Sequence, residues 1–170
     1  MLVKFAGVND NAATGTTIKV KFYMRDGTIV GLNVPLAVTY VGSGVYKATA
    51  TITNPFPAGS AFTIQVKGAK HVAVQFCKQT GQTAPCAINE SMAPTSYSFD
   101  FTGITLPPGD LNQDGTLNTM DIKAVADILG KLRSSQTATD KSLADVNYDG
   151  TVDGFDLSLI LQSLATRHDE

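Results

Sequence analysis

Residues 110 to 121 read Asp-Leu-Asn-Gln-Asp-Gly-Thr-Leu-Asn-Thr-Met-Asp, and residues 145 to 156 read Asp-Val-Asn-Tyr-Asp-Gly-Thr-Val-Asp-Gly-Phe-Asp. The same twelve-residue pattern occurs twice, in register. Each copy sets an oxygen-bearing side chain at its first, third, fifth, ninth and twelfth positions, with Gly at the sixth. A single Asp- and Gly-rich run can be an ordinary surface turn. Two in register, each followed by apolar residues at helical spacing, demand a loop that opens into a helix, twice over.

That spacing of oxygens is the one a calcium ion asks for in an EF-hand loop, a hard cation with six to eight oxygen ligands. In the first copy Asp110, Asn112 and Asp114 supply side-chain oxygens, Thr116 a backbone carbonyl, Asn118 a direct or water-mediated contact, and Asp121 closes the shell. Asp145, Asn147, Asp149, Thr151, Asp153 and Asp156 take the same roles in the second, so two calcium ions are expected. Gly115 and Gly150 suit a left-handed turn that only Gly adopts cheaply. Leu117 and Val152, at the eighth positions, are expected to pack inward and pair the loops by a short backbone bridge. The twelfth residue is Asp in both copies, where an EF-hand usually carries Glu. Asp121 and Asp156 each open a helix, where an anion suits the positive N-terminus. Ile122, Val125, Ala126, Ile128, Leu129 and Leu132 follow in one copy, and Leu157, Ile160, Leu161 and Leu164 in the other. No strongly apolar segment precedes either loop, so each copy reads as loop then helix, without the leading helix of a calmodulin-type hand.

Gly-Asp-Leu-Asn-Gln-Asp-Gly-Thr-Leu-Asn-Thr-Met-Asp and Ala-Asp-Val-Asn-Tyr-Asp-Gly-Thr-Val-Asp-Gly-Phe-Asp resemble the two repeats of a type I dockerin, over roughly residues 107 to 166. The resemblance implies a bacterial, secreted, cellulosome-like module with structural calcium. It implies a partner too: a cohesin module on a scaffoldin or a cell-surface protein. In the family the residues before the twelfth ligand and a pair within the helix face the cohesin. Carried over, these are Thr119, Met120 and Phe155, with Asp127 and Gln162 on the helices. Thr119-Met120 differs from Gly154-Phe155 in size and polarity, so one binding orientation is expected to dominate.

Charge splits the chain. Residues 1 to 102 carry eight Lys/Arg against four Asp/Glu, a net of about +4, while residues 103 to 170 carry five against eleven, about −6. Most of that acidity lies in the loops, so folding there is expected to be coupled to metal binding. The positive charge of the first part is scattered, which argues against nucleic-acid binding. No apolar run is long enough for a membrane span. Met1-Leu2-Val3-Lys4-Phe5 reads as a strand rather than as a leader.

Residues 1 to 104 alternate apolar and polar residues in about seven short runs, among them Ile18/Val20/Phe22/Met24, Val34/Leu36/Val38/Tyr40 and Phe62/Ile64/Val66. The pattern predicts an all-β antiparallel sandwich, immunoglobulin-like or carbohydrate-module-like. The expected order is a β-sandwich domain over 1–104, a Pro-rich linker over 105–109, the small all-α module over 110–166 and a tail over 167–170. With Pro107 and Pro108 in so short a linker, the two parts are expected to sit close together. Cys77 and Cys86 flank a polar segment and are assigned to a disulfide, worth about 2–3 kcal/mol in the chain-entropy model. Secretion, which the resemblance implies, favours that bond; two free thiols are the alternative. A zinc site is not expected, because two more ligands would be needed and the chain has only His71 and His168.

Lys67-Gly68-Ala69-Lys70-His71 is the one polar cluster outside the loops, and it reads as a hairpin turn with solvated lysines. Acids outside the C-terminal part are few, so catalysis is not expected. The leading function is a non-catalytic extracellular docking protein. The alternatives are a calcium-rigidified surface stalk or adhesin whose two parts pack on each other, and a carbohydrate-binding β domain tethered by its dockerin. Trp is absent, and Tyr23, Tyr40, Tyr46 and Tyr97 fit strand positions.

Overall fold

In the computed structural model, residues 1–24, 29, 35–49, 62–76 and 99–165 are described. Cys77 and Cys86 lie outside them, as does Tyr97. Among the described residues seven strands come first: β1 Leu2–Phe5, β2 Thr17–Met24, β3 Pro35–Gly42, β4 Val45–Ala48, β5 Phe62–Gly68, β6 Val74–Phe76 and β7 Asp100–Leu106. Three helices follow: α1 Thr119–Leu129, α2 Ala138–Ala144 and α3 Gly154–Ala165.

The strands form a sheet of order β6-β5-β2-β3-β4-β1-β7. β3 joins its two halves. Pro35 to Ala37 pair with β2, and Val38 to Gly42 pair with β4. Side-chain alternation fixes the faces. Ile18, Val20, Phe22, Ile64 and Val66 turn into one core with Val3, Phe5, Val38, Tyr46, Phe101 and Leu106 from the other half. Lys19, Lys21, Gln65 and Lys67 fall on the opposite face of the β2–β5 pair, with Lys19 facing Lys67 and Lys21 facing Gln65.

One pairing departs from the antiparallel expectation. β1 and β7 run parallel, Leu2 opposite Asp100 and Phe5 opposite Leu106. Parallel neighbours need a long crossover, and here the whole sheet domain separates the first strand from the last.

The C-terminal part has its own core. Leu117, Val125, Ile128, Val146, Val152 and Ile160 are buried together with Val72, which comes from the sheet domain. α2 fills the stretch before the second loop, where no helix was expected. Its seven residues are too few and too polar for a periodic signal. It is held at its start by a capping box, Thr137 with Asp140. Pro107, Pro108 and Gly109 are buried between the two parts. Val72 N donates to Pro107 O at 2.9 Å and Gly109 N to Lys70 O at 2.8 Å, so the connection is itself hydrogen-bonded to the turn after β5.

Candidate metal loops and their seat on the sheet

The two loops share one backbone. Their fourth residues, Gln113 and Tyr148, are left-handed at φ 60 and 61°, and their sixth, Gly115 and Gly150, at 92 and 86°. The glycines were expected there. The fourth positions were not, because neither Gln nor Tyr signals that conformation.

The twelfth residues organise each loop. Asp121 Oδ1 accepts Leu111 N at 2.9 Å and Asn112 N at 3.3 Å, while Oδ2 accepts Asn118 N at 3.0 Å. Asp156 repeats this with Val146 N at 2.8 Å, Asn147 N at 3.4 Å and Asp153 N at 2.9 Å. The ninth residues cap the helices that follow: Asn118 Oδ1 accepts Met120 N at 2.8 Å, and Asp153 Oδ1 accepts Phe155 N at 2.8 Å. Such caps stabilise a helix start by about 1 kcal/mol. Shorter hydrogen bonds draw the rest in. Asp114 Oδ1 accepts Thr116 N at 2.8 Å and Asp149 Oδ1 accepts Thr151 N at 2.9 Å. Asn112 and Asn147 donate to Asp114 and Asp149 at 2.7 and 2.8 Å.

Burial gives these groups an electrostatic problem. Asp110, Asp121 and Asp156 are fully buried, and Asp145 and Asn147 nearly so. Burial pushes the Asp145 and Asp156 carboxyls up, against the backbone N–H groups that lower them. At the exposed rim the Thr116 hydroxyl and N–H hold Asp114 down. Asp110 Oδ1 is buried without a hydrogen-bond partner among the described residues. Among the described residues no three acidic, imidazole or thiol side chains form a compact ligand cluster by themselves. The loops instead offer a mixed set in which Asn amides and a Thr carbonyl join the carboxylates, which suits an oxygen-seeking cation such as calcium. A buried carboxylate oxygen with no partner, desolvated acids and a donor set of oxygens all fit such an ion.

Leu117 and Val152 are buried as expected. The backbone bridge expected between them is absent among the described residues. Gln136 takes its place at Val152: its amide donates to Val152 O at 2.6 Å and accepts Val152 N at 2.9 Å. A side chain between the two repeats, invisible to a search for repeats, satisfies the groups the bridge would have used.

The cluster Lys67 to His71 is no solvated turn. The Lys67 ammonium donates to Asp110 Oδ2 in the first loop, and the two side chains are 15% and 0% exposed. Lys70 Nζ donates to Lys141 O at 3.0 Å and Asp145 O at 2.5 Å, and stands 4.6 Å from the centre of the Tyr148 ring. His71 is fully buried. Its ring stacks on Tyr148 at 6.3 Å and tilts against Phe5 at 4.9 Å. Among the described residues, neither ring nitrogen has a hydrogen-bond partner. Burial, with Lys70 and Lys67 adding to it, brings the imidazole down to about 3, so it is neutral near pH 7. Tyr148 also reaches Thr16 Oγ1 at 3.4 Å. Sequence reading missed this seat because its pairs lie tens of residues apart. The one signal available was three basic residues in five in a chain with a distant acidic repeat.

Thr119, Met120, Phe155, Asp127 and Gln162 all lie on the outer surface of α1 and α3. Met120 is 64% exposed and Phe155 52%, so neither is packed within the module. Asp127 pairs with Lys123 at 2.7 Å.

Two loops of one design, each leading into a helix, define a duplicated loop–helix module seated on a β domain. Residues 108–165 match the family model for the Dockerin type I domain. Type I dockerin domains generally bind calcium. A chain from a complex described as a C-terminal interface mutant of a type II cohesin–X–dockerin complex from Acetivibrio cellulolyticus is similar in fold. The TM-score is 0.51 at 14% identity, over 95% of this chain and 90% of that one. The N-terminal interface mutant of that complex gives a TM-score of 0.45 at 15% identity, over 86% of this chain and 80% of that one. No curated protein matches the chain. Among the described residues, no helix is long and apolar enough to cross a membrane.

Proposed function

We propose that this chain is a non-catalytic docking protein of an extracellular, cellulosome-like assembly, whose calcium-loaded dockerin binds a cohesin module. The single observation carrying this reading is the duplicated loop in which a buried twelfth-position Asp gathers the loop N–H groups and opens a helix with an exposed large apolar residue beside it. In this reading the loops are EF-hand-like and hold two ions. The first takes Asp110, Asn112, Asp114, Thr116, Asn118 and Asp121, and the second Asp145, Asn147, Asp149, Thr151, Asp153 and Asp156. Bound calcium would offset the repulsion among these acids and fix the two helices at the angle a partner reads. The β domain, read as a sandwich over 1–104, joins the module through 105–109. The likeness of fold to a cohesin–X–dockerin chain supports a cohesin as the partner, since that protein's complex contains one.

A second reading draws on a specific observation. The sheet domain inserts Lys67, Lys70, His71 and Val72 into the module, so the two parts also suit a calcium-stiffened surface stalk.

The test is titration of a cohesin panel, with calcium and with chelator, against wild type, Met120→Ala and Phe155→Ala. Calcium-dependent binding with unequal losses from the two variants is expected, the larger about 2 kcal/mol as for a buried anchor. Equal losses would indicate two symmetric modes. The absence of any cohesin binder would favour the stalk.

A further inference from the structure

The two loops match in sequence but not in the cations that face them, a difference that acquires a function on the reading that both loops take calcium. Lys67 belongs to β5, held in register opposite Lys19 of β2. Its ammonium lies on Asp110 Oδ2, the first-position carboxylate of loop 1, and both side chains are largely or fully buried. Gly115 N donates to the same oxygen at 3.2 Å. A buried carboxylate is costly without an opposite charge, and Lys67 supplies one here. A calcium ligand set that includes Asp110 therefore needs a carboxylate that Lys67 already holds. Withdrawal has an electrostatic cost. The Lys67 backbone is held on a paired strand, and the residue lines a cleft together with Lys19, Lys21 and Gln65 on the sheet and Gln113, Asp114 and Gly115 on the loop. Turning away from Asp110 brings it towards two further ammonium groups.

Loop 2 is arranged otherwise. Lys70 approaches the equivalent Asp145 but donates to its backbone carbonyl, while the Asp145 carboxylate accepts Asp149 N at 3.1 Å and Gly150 N at 2.9 Å. Among the described residues, Lys70 has no carboxylate to give up. Arg133 does reach a carboxylate of this loop, Asp153, at 2.6 Å, but its side chain is 71% exposed. An exposed pair of this kind is worth little and opens to water readily.

We propose that Lys67 is a built-in cation for loop 1, holding Asp110 in the metal-free chain and giving it up when the loop fills, so that loop 2 fills first and at lower calcium. Lys67 is a residue that sets the order of loading, contributed by the β domain to a site in the dockerin. It keeps loop 1 closed when calcium is scarce and weakens that loop's hold on the ion.

The experiment is calorimetric titration of calcium into the metal-stripped full chain. Wild type should give two dissociation constants at least about tenfold apart, equivalent to about 1.4 kcal/mol. Asp110→Asn should abolish the weaker site and Asp145→Asn the tighter. Lys67→Met should tighten the weaker site about tenfold, leave the tighter one unchanged and lower the melting temperature in chelator. Lys67→Gln should do the same, which keeps the test open if one variant folds poorly. Lys67→Arg, with its charge retained, should stay near wild type. Two ions bound with the weaker constant unmoved by either neutral substitution would overturn the role of Lys67 and leave the calcium reading intact. So would a weaker site that maps to Asp145. No calcium uptake by wild type would overturn both.

Discussion

At the fourth position loop 1 carries Gln113 and loop 2 carries Tyr148, both left-handed with φ near 60°. Gln113 is exposed, whereas Tyr148 stacks on His71, meets Phe5 edge-on at 6.3 Å and carries Lys70 on its ring. The backbones are copies; the attachments are not. Loop 2 is fastened to the β domain by an aromatic side chain, and loop 1 by an ion pair through Asp110. A duplicated motif can therefore keep the geometry its ligands require while its variable positions are used to seat a neighbouring domain. The glycine turn and the twelfth-position Asp are common to both copies, and the side chain at the fourth position is left for that second use.

The largest effect separating the loops should come from truncating those fourth residues in turn. Tyr148→Ala removes ring contacts to His71, Phe5 and Lys70, and should destabilise the calcium-loaded chain by about 2–3 kcal/mol, below the full-burial range because the ring is only part-buried. Gln113→Ala, equally left-handed, should stay within about 0.5 kcal/mol. Urea unfolding in saturating calcium measures both. Similar losses would mean the loops are fastened alike.

Acidification should sharpen the same contrast with a smaller effect near neutrality. His71 lies against Tyr148, and its pKa falls from 6.5 to about 3 in the folded chain. The unfolded chain binds the proton first. The stability that His71 confers by being neutral is thus complete above pH 6.5 and is lost progressively as pH falls from there towards 3. The slope is about 1.4 kcal/mol per pH unit at most. Unfolding free energies between pH 7.5 and 5 should fall more steeply for wild type than for His71→Leu. Parallel curves would show that His71 is protonated or solvated in the folded state.

The loops, their glycines, the helices after them and the alternating strands were all legible because each is written in local spacing. Asp121 and Asp156 could be placed at helix starts from sequence, since the loop length fixes where the helix begins. The seat between the parts was not legible. Lys67, Lys70 and His71 follow a β strand and look like any polar turn. Their partners Asp110, Asp145 and Tyr148 lie 43 to 77 positions further along, and only the fold brings them together. Gln136 escaped notice for a related reason. It belongs to neither repeat, yet it satisfies the Val152 backbone that the symmetry of the repeats had assigned to Leu117. The parallel β1–β7 pair was missed because alternation fixes a strand's faces and says nothing of its direction.

Everything proposed for this chain depends on both loops being calcium sites that hold the C-terminal fold together. Thermal unfolding of the full chain, metal-stripped and then calcium-saturated, tests this when the bound ions are counted by calorimetry on the same sample. Two ions per chain and a large rise in melting temperature are expected, about 4 kcal/mol of added stability for a site held at a thousandfold excess over its dissociation constant. Superimposable melts with no calcium taken up would contradict it.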